Sequence, residues 1–191
     1  MTAPASQTYD VPVATAPTLY RLSPERYDRI VDAGLLEDEP VELVEGLLVR
    51  VSPQGAAHYA LIQRLTVHFA ARADLLRIQA PLAVPDGRPE PDIALAPTPT
   101  SLRHPETAAL VVEVAVSAWG EAVAKLPSYA RAGVGVVWIV DAPGRAVHVH
   151  ERPGSGAYAV TCVLRTGDLL VAPAEGIPPL PVEELFAVLD R

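Results

Sequence analysis

Two carboxylates stand at points where an apolar strand should carry none. In GRPEPDIALAP, residues 87–97, Asp92 follows Pro91 and leads into Ile93, Ala94 and Leu95; in LVVEVAVS, Glu113 interrupts the most apolar run of the chain. A buried, unpaired carboxylate costs on the order of several kcal/mol, so each needs a backbone donor, a cation or a metal. The two runs are successive predicted strands, and if they lie side by side the acids converge. Hard divalent cations take oxygen ligands, and Mg²⁺ commonly uses one or two carboxylates with water and substrate phosphate. Lys125, the only lysine against 14 arginines, follows Glu113 by 12 residues. It falls on the helix predicted to leave that strand, from which its ammonium can reach back to polarise a water or a phosphoryl oxygen.

Each of these residues has a plainer account. Glu121 and Lys125 are spaced i, i+4, which suits an exposed ion pair. Asp92 and Glu113 can also be explained as strand-end caps or as partners of Arg88 or Arg103, although neither strand carries an arginine of its own. Glu42 and Glu45, in VELVEG, fall between apolar positions, and Glu45 before Gly46 reads as a turn residue. His58 opens a long helix and suits a phosphate contact, a support for the acids, or an ordinary satisfied histidine. His68, His148 and His150 give no metal-ligand spacing with other residues, beyond a weak two-histidine site on one strand face.

The elements that must position these groups follow from periodicity and punctuation. LSPERYDRIVDAG reads as a helix with Ser23 as N-cap, Pro24 at the first position and Gly34 at its end. VELVEGLLVRVSP suits a hairpin of two short strands around Gly46. GAAHYALIQRLTVHFAARA carries Leu61, Ile62, Leu65 and Phe69 at helical period. Three extended runs come next: LLRIQAPLAVP, PDIALAP and AALVVEVAVS, the last suited to a strand covered on both faces. A helix over EAVAKLPSYARAG and a second apolar strand, VGVVWIVD, complete a crossover unit, so part of the sheet should be parallel. RAVHVHERPG and AYAVTCVLRTGD add a C-terminal hairpin, and VEELFAVLD closes with a short helix. The fold class is α/β or α+β, a mixed sheet flanked by helices. Residues 1–18 read as a flexible arm and residues 19–191 as one domain.

Composition narrows the setting. A net charge of −8 counts against a nonspecific, charge-driven nucleic-acid binder. It leaves room for an enzyme whose bound cations offset a carboxylate cluster. No apolar run approaches the roughly 18 residues of a membrane span, and the N-terminus lacks a basic-then-apolar signal pattern. The single cysteine, Cys162, excludes an internal disulfide or a cysteine zinc cluster and is expected in buried packing. A cytoplasmic protein with no membrane partner is the expectation.

The runs VELVEGLLVRVSPQGAAH, IQRL, EPDIAL, LVVEVAVS and KLPSYARAGVGVVWIVD, in that order, resemble the Uma-two family of restriction-endonuclease-like proteins, which has the PD-(D/E)xK nuclease fold. The resemblance covers roughly residues 19–152. It implies a mixed core sheet of four to five strands and Mg²⁺-assisted cleavage of phosphodiesters, with Mn²⁺ as a substitute. Position by position, Asp92, Glu113, Lys125, Glu42 and His58 match the family's acidic, lysine and histidine positions, and Glu121 stands where an aspartate is usual. The wider superfamily places its lysine two residues after the second acid, where this chain has Ala115, so the helical Lys125 would have to serve. Leu47 replaces a common glutamate, and Val116, Ser117 and Ala118 replace an acid and serines.

On this reading Asp92, Glu113 and the Val114 carbonyl would hold one Mg²⁺. Lys125 would orient or deprotonate the attacking water, and Glu42 would position the metal or bind a second. Nucleic acid, DNA in the first instance, is the expected partner, and a homodimer or higher homo-oligomer the expected assembly. The alternative is a nuclease fold that has lost turnover and persists as a nucleic-acid- or protein-binding regulator.

Overall fold

The computed structural model describes residues 18–51, 53–98 and 102–190. All but Thr18 of the arm expected over residues 1–18 lies outside them. The chain runs through helix α1 (Pro24–Asp32), strands β1 (Val41–Val44) and β2 (Leu47–Arg50), and helix α2 (Ala56–Phe69). Strands β3 (Leu76–Ile78), β4 (Ile93–Leu95) and β5 (Leu110–Ala115) follow, then helix α3 (Trp119–Arg131) and β6 (Val136–Asp141). β7 (Ala146–Pro153) and β8 (Tyr158–Leu164) form the late hairpin; β9 (Leu169–Leu170), β10 (Leu180–Pro181) and α4 (Val182–Phe186) complete the chain.

Strands β3 to β8 make one six-stranded sheet in sequence order. Only β5 and β6 are parallel, and α3 is their crossover. The sheet exceeds the four to five strands implied by the resemblance because the C-terminal hairpin pairs directly onto β6. Of LLRIQAPLAVP only Leu76–Ile78 is strand. The rest turns away, with Leu82 N–H bonded to the Pro89 carbonyl and Ala83 N–H to Pro105.

The β5 run is buried at every position, Glu113 included, as expected of an apolar strand covered on both faces. Leu110, Val112 and Val114 face a cluster with Leu61, Leu65 and Phe69 of α2 and Leu185 and Phe186 of α4. Val111 and Ala115 face Ala122 and Tyr129 of α3 on the other side. Burying each such Leu, Ile or Phe is worth about 1.5–3 kcal/mol, so helices on both faces hold β5 as the fixed spine of the molecule.

Two local devices set the site. The hairpin turns at Glu45 and Gly46, both at positive φ (49° and 77°), which is the geometry of a tight two-residue turn. Glu45 is therefore a turn residue. Gly87 lets β1 lie directly on the segment before Asp92: an added Cβ would collide with the Leu43 carbonyl oxygen, and Arg88 N–H donates to that same oxygen at 2.7 Å. β1 is thereby brought up against residues 88–90. Cys162, expected in the core, is exposed, because β8 is the outer strand of the sheet.

Candidate active site

Asp92 immediately precedes β4, and Glu113 is the fourth residue of β5. These strands are antiparallel neighbours with Ile93 opposite Val112, so one step further Asp92 and Glu113 face each other at one end of the sheet. α3 leaves that end and carries Lys125 in its second turn. β1 supplies Glu42, and the first turn of α2 supplies His58. Among the described residues six polar or charged side chains are buried: Glu42, His58, Asp92, Glu113, Lys125 and Ser128. Five of the six meet here, at the base of a cleft of about 660 Å³ that Glu121 also lines.

The contacts form one network. Asp92 Oδ2 accepts from Val114 N–H at 2.7 Å and lies 3.1 Å from His58 Nε2. Lys125 Nζ lies 3.0 Å from Glu42 Oε1, 3.4 Å from Glu113 Oε2 and 3.3 Å from the Glu90 carbonyl, to which it donates. Glu42 Oε2 accepts from Glu90 N–H at 2.8 Å. Lys125 is therefore no surface partner of Glu121: it is 7% exposed and held among buried acids. Arg88, offered as a partner for the strand acids, instead grips Asp28.

Burial pushes the Glu113 carboxyl up to about 8, against the pull of Lys125. For Lys125 burial acts downward, but Glu113 and Glu42 outweigh it and the ammonium is held above its usual range. A charged lysine inside a ring of acids is an electrostatic anchor and a hydrogen-bond donor; it is poorly suited to act as a base.

Tyr129 was not singled out in the sequence. Its hydroxyl donates to Glu113 Oε1 at 2.6 Å from a fully buried position. The clue was its spacing: it lies one helical turn after Lys125, so both project from one face of α3 toward β5. Tyr129→Phe should leave Glu113 Oε1 short of a donor and push that carboxyl up further. Divalent-cation affinity should then fall about 10- to 100-fold, the usual cost of removing a group that orients a ligand. Calorimetric titration beside a thermal melt checks this, and unchanged affinity would remove Tyr129 from the site.

The comparisons with known proteins bear on the family and the fold. A family model, Uma2, described as "Putative restriction endonuclease", matches residues 24–178. The fold matches the crystal structure of a "putative nuclease belonging to DUF820" from Anabaena variabilis ATCC 29413. That match has a TM-score of 0.63 at 19% identity and covers 78% of this chain and 90% of the other. No curated protein matches the sequence.

Proposed function

The chain belongs to the Uma2 family, and from that premise we propose that it is a metal-dependent endonuclease that hydrolyses nucleic-acid phosphodiester bonds, with DNA as the favoured substrate. The observation that carries this reading is the convergence of Asp92, Glu113, Glu42 and Lys125 at the base of one cleft. An inert core has no use for four buried ionisable groups in one place.

The donor set suits Mg²⁺, with Mn²⁺ as a substitute. Both hydrogen bonds to the Asp92 carboxylate fall on Oδ2, and Glu113 opposite is so desolvated that its carboxyl is pushed up despite the nearby Lys125. Among the described residues no three His, Cys, Asp or Glu side chains gather as a ready cage. Mg²⁺ does not need one, because it keeps several waters and binds through one or two carboxylates. Asp92, Glu113 and the Val114 carbonyl would hold it. A bound divalent cation would supply Lewis acidity and a water of lowered pKa.

The chain's own groups do the rest. His58 Nε2 and Val114 N–H fix Asp92, and Tyr129 fixes Glu113. Lys125, anchored by Glu42, keeps its protons, orients the attacking water and stabilises charge growing on the phosphate. Two copies would present one cleft to each strand of a duplex. No helix among the described residues is long and apolar enough to cross a membrane.

The decisive test is nicking of supercoiled plasmid with Mg²⁺, Mn²⁺ or EDTA. Cleavage that requires a divalent cation supports the reading; no cleavage of plasmid, single-stranded DNA or RNA with either metal sinks it. A linked result concerns protons. The folded, metal-free chain holds the Glu113 proton up to about pH 8, whereas an unfolded glutamate loses it near 4.5. Folded protein thus binds more protons across that window, and this carboxyl's contribution to stability declines as pH rises through it. Divalent binding at pH 7 should release a proton and tighten toward pH 8. Titration in two buffers of different ionisation enthalpy measures the release, and a heat independent of buffer would contradict it.

A further inference from the structure

The six-stranded sheet has two edges of opposite character. β3 is three residues long, carries Arg77 at its centre, and is followed by Gln79 at a φ of 47° that turns the chain away. A short strand with a central charge blunts an edge against further pairing. β8, Tyr158-Ala-Val-Thr-Cys-Val-Leu164, is seven residues long and has no charge, proline or glycine. Among the described residues no strand pairs with its outer side, and Thr161, Cys162 and Val163 are all exposed. An uncharged outer row of N–H and C=O groups is a template for another strand.

The same edge ends a strip without Asp, Glu, Lys or Arg on the α3 side of the sheet. Trp119, 40% exposed at the start of α3, packs edge-on against His148 with ring centroids 4.6 Å apart. His148 is the cross-strand partner of Val163, itself 41% exposed. The strip therefore runs from the helix to the last strand and stops at the edge.

We propose that β8 pairs antiparallel with β8 of a second copy of this chain, centred on Thr161, to make one continuous twelve-stranded sheet. The strand is self-complementary about that centre. Thr161 meets Thr161, Cys162 meets Val160, Val163 meets Ala159 and Leu164 meets Tyr158, so no cross-strand pair joins like charges. Small hydroxyl and apolar–aromatic pairs are favourable in antiparallel sheets. In a chain of net charge −8, an uncharged contact is where two copies can approach with least repulsion. The two-fold operation also joins the two Trp119–His148–Val163 strips across the axis, and such isologous contacts are the commonest route to soluble dimers.

Light scattering on the full chain should give twice its 20.3 kDa mass. Thr161→Lys places like charges directly opposite at the axis and should yield a monomer with unchanged circular dichroism, while Thr161→Val should remain dimeric. A second readout does not depend on the stability of the lysine variant. The single cysteine would lie diagonally from its copy at about 7–8 Å, so a short bismaleimide should link native wild-type chains and fail to link denatured ones. A monomeric wild type would overturn the proposal, even if a strand of another protein were found on β8. So would a Thr161→Lys chain that stays dimeric, or native chains that do not cross-link. The edge stands apart from the cleft, so the result holds whether or not the chain cleaves nucleic acid.

Discussion

Asp92→Asn is expected to fold and to lose cleavage by about 10³-fold or more, since Lewis-acid stabilisation worth several kcal/mol converts at about 1.4 kcal/mol per tenfold. The asparagine keeps the size of the side chain and an oxygen for Val114 N–H, which donates to Oδ2 at 2.7 Å in the wild type. It removes the charge that a cation needs. Stability should change little, because a desolvated carboxylate is itself costly. His58→Ala would act on the same carboxylate at one remove and should cost about 10- to 100-fold. Rates of plasmid nicking, read beside metal titration and circular dichroism, separate the outcomes. A well-folded Asp92→Asn chain that nicks as fast as wild type would place the chemistry elsewhere.

Asp92 and Glu113 could be read from sequence because each violates the pattern of its own strand, and their opposition followed once PDIALAP and LVVEVAVS were taken as neighbours. Lys125 could be read only in part. Its spacing from Glu121 admitted an exposed pair, and the choice depended on the roll of α3 about its axis. Packing of Ala122 and Tyr129 against Val111 and Ala115 fixes that roll and turns Lys125 inward. Glu42 was visible as an odd residue in VELVEG, but its arrival at the cleft depends on Gly87 and the Leu43–Arg88 contact, which join segments far apart in sequence. Tyr129 escaped notice because a tyrosine among apolar neighbours on a helix reads as core.

The elements themselves followed the local signals closely, with instructive exceptions. Ser23, Pro24 and Gly34 bounded α1 as expected, and Ser23 Oγ accepts from Arg26 N–H. α3 begins at Trp119, two residues before the expected start, and continues through Pro127. The β9–β10 pair was missed because each strand is only two residues long, too short to show an alternation. Cys162 was misplaced for a related reason. The alternation in AYAVTCVLRTGD marks a strand but says nothing about whether that strand lies inside or at the edge of a sheet.

Lys125→Met should reveal how far the site's charges depend on one another. The substitution keeps the length of the side chain and removes the only side-chain ammonium in the chain, leaving Glu42 at 4% and Glu113 at 5% exposure without their shared partner. Breaking a buried ion pair from one side costs about 3–5 kcal/mol. The cost should be smaller below about pH 8, where burial keeps Glu113 protonated and in no need of the cation, and should grow as pH rises past that value. It should also shrink when Mg²⁺ is added, so metal should raise the melting temperature more in the variant than in the wild type. Catalysis should behave differently. A metal can compensate the buried acids but cannot supply the donor that the proposed mechanism asks of Lys125, so on that mechanism cleavage should stay about 10²- to 10⁴-fold below wild type at saturating Mg²⁺. Melts across pH with and without Mg²⁺, paired with nicking rates, would show the two effects separately. If metal restored both stability and rate, Lys125 would be a counter-ion and no more; if neither pH nor metal restored stability, the buried acids would not be a cation site.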